Sequence, residues 1–266
     1  MVQWGRTHRG GALTALEQLA VVLAGFGAGI LTSSVGVATL LSFPVLLALG
    51  IPPVVANVSN TIGLIPAGIG GAFGYRAELR EQPALTARVI VLTGIAGAAG
   101  AVLLLALPAT VFEAIVPWLI LGTCLLVGVQ PRLSRWLAAR RGGGERLTLS
   151  PTTTVFVLLT GVYGGYFGAG AGVLMVATLA LGLDVAFHVI SAIRTTSVMA
   201  ANIVAGVVFV LVADVDWLVV VLLASGSVLG GYVGARVARR LPATLLRILV
   251  VIAGVVAAAL LLTGTV

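Results

Sequence analysis

From Leu13 to the C-terminus, apolar residues come in long blocks, many of them about 20 residues long and able to cross a hydrocarbon core roughly 30 Å thick. Polar residues collect in short stretches between the blocks. Ten apolar segments can be marked, at about 13–31, 35–49, 54–75, 85–106, 110–129, 151–167, 171–183, 186–212, 215–235 and 243–263. Backbone amides inside a bilayer must be satisfied within each segment, and the ten-residue in/out alternation of a membrane barrel does not occur. The pattern therefore predicts an all-α, polytopic helical membrane protein, with some segments short enough to be re-entrant or broken.

The ten segments fall into two fives. The first five occupy residues 1–129 and the second five residues 151–266, joined by a hydrophilic linker, 130–150, that holds Arg132, Arg135, Arg140, Arg141, Arg146 and the run Gly142 to Gly144. The two halves repeat one order of features. In the first, the small-residue stretch Ala28 to Gly36 precedes Leu40 to Gly50, then Pro52 and Pro53, then Asn57, Ser59, Asn60 and Thr61. In the second, Gly161 to Gly172 precedes Val173 to Gly182, then Asp184, then Ser191, Arg194, Thr195 and Thr196. Asn57 pairs with Ser191 and Asn60 with Arg194 at an offset of 134 residues.

Loop charges bear on orientation, because Arg and Lys in short loops are held on the cytoplasmic side. The loop after the third segment carries Arg76, Arg80 and Arg88, while its counterpart carries Asp214 and Asp216. The loop after the fourth holds only Leu107, Pro108 and Ala109, while its counterpart holds Arg236, Arg239 and Arg240. Equivalent loops have opposite bias, so two halves with an odd number of crossings each are expected to lie inverted in the membrane, with the linker cytoplasmic. That places the N-terminus outside, against the pull of Arg6 and Arg9, and both placements stay open. The basic start of the chain also resembles a signal peptide, but without a clear A-x-A site it reads as a retained first helix.

Composition narrows the classes further. Of 266 residues, 60% are hydrophobic and 9% charged, and the mean hydropathy is +1.19, whereas soluble domains carry about a quarter charged residues. The net charge of +7 comes from 15 basic residues, all Arg, most of them set in loops and not beside stacking aromatics, which excludes a nucleic-acid surface. Cys124 is a lone thiol, so neither a disulfide framework nor a metal cluster is expected. Two His, one Cys and isolated acids supply no catalytic set, and no phosphate-binding motif or other cofactor site is present.

The stretch Gly25 to Arg80, with Phe43-Pro44, Pro52-Pro53, Ala56-Asn57 and Gly74-Tyr75-Arg76, resembles the first repeat of the TauE/SafE family. The glycine-rich run Gly161 to Gly172, the triplet Val215-Asp216-Trp217 and the stretch Gly230 to Arg236 are similar to its second repeat. The resemblance covers nearly the whole chain. It implies a multi-pass transporter of the bacterial inner membrane that moves small anions, with sulfite and sulfur-containing organic anions as proposed exported substrates. Two departures stand out. Gly36, Val37, Ala38 and Thr39 occupy the place of a run of glycines, and Ser191 and Arg194 the place of an Asn and a Lys. Substrate identity is therefore not carried over.

Arg194 lies about eight residues into an apolar segment, and a charge at membrane depth needs a partner or a water-filled cavity. A guanidinium offers a planar fork of donors matched to an oxyanion, while snorkelling to the interface is the structural alternative. Ser191, Arg194 and Thr195 lie at i, i+3 and i+4, as do Asn57, Asn60 and Thr61, so each trio makes one polar stripe. Under a pseudo-two-fold axis the two stripes would face each other near the midplane. Interhelical hydrogen bonding is the other use of such residues, favoured for Ser59, Ser197 and Asn202. Gly36, Gly168, Gly170 and Gly172 mark breaks from which a helix would present unpaired N–H groups and a positive dipole end to an anion. Close packing through small residues explains them equally well, and is preferred for Gly94, Gly97 and Gly100. Glu17, Glu113 and Asp184 read as helix-end residues, with proton coupling a lesser role for Glu17.

These readings converge on a secondary transporter or exporter of a small anion, working by alternating access between two repeats. An anion channel and a non-transporting assembly subunit are the alternatives. A proton or another ion is left open as coupling partner, and so is a homo-oligomer.

Overall fold

The computed structural model describes residues 13–34, 36–139, 147–237 and 243–263, and all of its regular structure is helical. The remaining stretches, which include Arg6, Arg9, Arg140, Arg141, Arg146, Gly142 to Gly144, Arg239 and Arg240, lie outside the described residues. The helices are α1 (Ala15–Ser34), α2 (Thr39–Ala48), α3 (Pro53–Gly63), α4 (Ile65–Gly74), α5 (Arg76–Leu79) and α6 (Pro83–Ala106). They continue with α7 (Ala109–Ala139), α8 (Pro151–Tyr166), α9 (Ala171–Gly182), α10 (Phe187–Val212), α11 (Trp217–Val237) and α12 (Ala243–Leu262). Among the described residues, five spans are long and apolar enough to cross a membrane: 15–32, 53–74 (α3 with α4), 83–106, 109–132 and 187–212.

Local chemistry sets the helix ends. Thr14 caps α1, its hydroxyl accepting from the Glu17 N–H at 3.4 Å while the Glu17 carboxylate accepts from the Thr14 backbone N–H at 2.9 Å, the reciprocal arrangement of a capping box. Ser150 caps α8 ahead of Pro151 by accepting from the Thr153 N–H at 3.1 Å. Asp216 does the same for α11 through Val219. The third expected segment is broken at Leu64 into α3 and α4, because Pro66 has no N–H with which to continue the ladder. Its counterpart α10 is continuous, since the 134-residue offset puts Ala200 where Pro66 stands. The seventh helix runs on to Ala139, ten residues beyond the boundary the apolar pattern predicts.

Two pairs of helices fold back on themselves. Gly27 on α1 packs against Leu41 on α2, and Gly182 at the end of α9 meets Thr153 at the start of α8. Each pair is a helical hairpin, and at 1.5 Å per residue α2 and α9 reach only about 15 and 18 Å. The hairpin turns contain glycines in the left-handed region, Gly36 at φ +78° and Gly168 and Gly170 at +76° and +74°, where a Cβ is disfavoured.

Glycine seams join the halves. Along α1 and α11, Val22 meets Gly226 and Phe26 meets Gly230, so those two helices run parallel. Along α6 and α8, Ala96 meets Gly161 and Gly97 meets Gly165, again parallel. At the centre α4 and α10 run antiparallel, with Gly71 against Thr195, Gly68 against Met199, and Ile62 and Ile65 against Gly206. Leu79, Leu85, Leu149, Leu183 and Val185 share one apolar cluster, which gathers the start of α6, the start of α8, the end of α9 and the start of α10 at one end of the molecule. His188 and Glu81 meet at that same end, with His188 Nε2 3.1 Å from Glu81 Oε1.

Candidate functional site

The turns of the two hairpins and the middle of the central helix pair enclose a cavity in which about 60 Å³ is open to the centre of a water molecule. A single water needs roughly 10 to 15 Å³ on that measure, so the space suits a small solute. The first hairpin contributes Thr32, Gly36, Ala38 and Thr39, and the second contributes Gly168 and Gly172. Leu64 and Gly68 close it from one side of the α4–α10 crossing, and Arg194, Thr195, Val198, Met199 and Asn202 from the other. Leu64 with Val198 and Gly68 with Asn202 are pairs at the 134-residue offset.

Arg194 supplies the charge. It is 7% exposed, and its Nη2 donates to the Thr195 hydroxyl at 3.3 Å, which in turn donates to the Ser191 carbonyl at 2.9 Å. The guanidinium packs against Gly36, where a Cβ would come within 2.6 Å of Nη1, and its Cδ faces Gly172. None of the described lining residues is acidic. The first turns of α2 and α9 both border the cavity through Thr39 and Gly172, so two helix N-termini add their positive ends to that charge. Hydroxyls of Thr32, Thr39 and Thr195 and the amide of Asn202 provide neutral hydrogen-bonding groups around it.

Of the residues singled out in the sequence, Arg194, Thr195, Gly36, Gly168 and Gly172 come together here, and Ser191, Gly170, Asn57, Asn60 and Thr61 do not line the cavity. Asn57 is fully buried and donates to the Tyr166 carbonyl at 2.9 Å. Asn60 accepts from the Ser42 hydroxyl, and Thr61 donates back to the Asn57 carbonyl. The two polar stripes therefore do not face one another, and the reason is the antiparallel crossing. Thr195 sits beside Gly71 while Ile62 sits beside Gly206, so the stripes flank the crossing with about 16 Å of α10 between Thr195 and Gly206. Val198, Met199 and Asn202 were not singled out as ligands, yet they continue the Arg194 stripe at helical spacing, so extending it by two turns finds them. Thr32, Thr39 and Leu64 carry no comparable signal. Ser59 and Ser197 are occupied elsewhere, Ser59 accepting from the Asp216 N–H and Ser197 donating to the Arg194 carbonyl.

An all-helical bundle with apolar spans, lipid-compatible outer faces such as Leu125, Val221 and Leu229, and polar groups gathered inside is a multi-pass membrane protein. The chain belongs to the Sulfite exporter TauE/SafE family, whose model matches residues 21–261, and it is a membrane transporter. It is 31% identical over 250 residues to a Sinorhizobium protein named "Probable membrane transporter protein ORF9", covering 90% of each chain. A Haemophilus influenzae protein named "Probable membrane transporter protein" is 27% identical over 248 residues, covering 89% of this chain and 91% of that one. No solved structure matches the chain.

Proposed function

We propose that the protein is a secondary transporter of a small oxyanion, of the sulfite or short organosulfonate class, in a bacterial inner membrane. The observation that carries the reading is Arg194, buried in the wall of a cavity that two helix N-termini also border and to which no described acid contributes. A buried cation in a positively biased cavity favours a ligand that brings negative charge and several acceptor oxygens.

Alternating access is supported by the packing. The two hairpins put glycine turns at the cavity from opposite halves of the chain, and the equivalent helices α4 and α10 run antiparallel, as inverted repeats require. A hairpin that starts and ends at one end of the molecule, as α8 and α9 do, makes no net crossing. Each half then contributes an odd number of crossings. The linker and the loop around Arg76 and Arg80 fall on the cytoplasmic side, and Asp214 and Asp216 on the other.

The test is purified protein in liposomes, assayed for uptake of sulfite and a series of short organosulfonates. Saturable, exchangeable uptake that falls at least about tenfold in Arg194→Ala, through loss of a charged hydrogen-bond donor, is the expected result. Equal uptake by Arg194→Ala removes the residue from the mechanism, and a conductance that follows voltage without saturating makes the protein a channel.

A further inference from the structure

The turn of the second hairpin is tied to α7 by two hydroxyls that take no part in lining the cavity. Tyr163 Oη donates to the Ala169 carbonyl at 2.6 Å. Thr123 Oγ1, on α7, lies 3.1 Å from that same oxygen and 3.1 Å from Tyr163 Oη. Thr123 is itself fixed on its own helix, 2.8 Å from the Leu119 carbonyl. The Ala169 carbonyl thus accepts from Tyr163 and shares with the Leu119 carbonyl the one proton of the Thr123 hydroxyl, and a Cβ at Gly170 would meet Thr123 Cγ2 at 2.7 Å. In a trans peptide the N–H points opposite to the C=O. Anchoring the Ala169 oxygen on the α7 side therefore turns the Gly170 N–H away from α7, within the turn whose neighbours Gly168 and Gly172 line the cavity.

We propose that Tyr163 and Thr123 are positioning residues of the anion site, holding the Ala169–Gly170 peptide, and with it the turn from which Gly168 and Gly172 reach the cavity, in one orientation. The inference rests on the anion-site reading of the cavity. The cavity wall keeps its shape only while the peptides of this turn keep their orientation, and a turn with glycines at φ +76° and +74° has little of its own to keep them. The repeat gives the pin no counterpart in sequence: at the offsets of 133 and 134 residues Tyr163 falls opposite Ile30 or Gly29 and Thr123 opposite Val256 or Ala257, none of which has a hydroxyl. What the pin adds is orientation of the second turn.

Tyr163→Phe, Thr123→Val and Thr123→Ser separate this role from plain stability. In liposomes with sulfite as the probe, Tyr163→Phe and Thr123→Val each raise KM about five- to tenfold and leave the maximal rate within about twofold, the scale of one lost hydrogen bond. Thr123→Ser keeps the hydroxyl and stays near the wild-type KM. Hydrogen exchange of the segment 167–172 in detergent speeds up in Tyr163→Phe and Thr123→Val and not in Thr123→Ser. Unchanged exchange in that segment overturns the proposal, as does a lowered rate at unchanged KM or a Thr123→Ser that behaves like Thr123→Val. If the wild type moves no sulfite and Arg194→Ala changes nothing, the anion-site reading falls, and the exchange measurement still decides whether the pin orients the turn.

Discussion

Gly36 and Arg194 hold one another in place. The glycine adopts φ +78°, a conformation that costs an L-residue with a Cβ about 1 to 2 kcal/mol, and its missing side chain is the space the guanidinium fills. Gly36→Ala adds both penalties at once, displacing the Arg194 fork. Sulfite uptake in liposomes is expected to fall at least about tenfold while the purified protein still elutes as a folded species, because only about 1 to 2 kcal/mol of strain is added. Arg194 was legible in the sequence, since a charge deep in an apolar run has few uses. Its neighbour at Gly36 was legible only as a break, because no pattern along the chain shows that one half's turn will meet the other half's side chain. Asn57 and Asn60 show the opposite case. Their spacing copies that of Ser191 and Arg194, yet they bond to Tyr166 and Ser42, and only the direction of the helix crossing decides between the two outcomes.

Helix pairing is governed by glycines that let backbones touch, as expected where lipid offers no hydrophobic drive between helices. At Gly165 a Cβ would overlap the Gly97 carbonyl of α6, and at Gly230 it would overlap the Phe26 carbonyl of α1. At Gly122 nothing lies within 4 Å. Gly165→Ala is therefore expected to lower the melting temperature in detergent markedly. Gly122→Ala is expected to leave it unchanged or raise it slightly, since alanine gains up to about 1 kcal/mol of helix propensity. A Gly165→Ala protein that melts like wild type would mean the α6–α8 seam opens without cost. The apolar blocks foretold nearly every helix, because length and hydropathy alone decide what a bilayer accepts. The break at Leu64, the short α5 and the extension of α7 to Ala139 are the exceptions at this scale; Pro66 marks the first along the chain, while nothing in the apolar pattern marks the other two.

For the whole molecule, the antiparallel α4 and α10 and the shared end that gathers Leu79, Leu149 and Leu183 make a claim about sidedness. With Cys124→Ser as background, single cysteines at Glu81 and His188 are expected to react only with a reagent admitted to the cytoplasm, and those at Pro108 and Asp214 only with one added outside intact cells. Labelling of Glu81 and Asp214 positions from the same side would rule out inverted halves. The opposed loop charges predict the same sidedness, whereas the exchange of partners between halves has no trace in composition. That exchange has a consequence for how the chain is made. The long partner of α1 is α11 and that of α8 is α6, so α1 waits for a helix translated some two hundred residues later. Until then the glycine faces of α1 and α6 stand against lipid, and a ribosome that stalls in the linker leaves behind a half-protein whose seams are open and which the cell's membrane proteases should find first.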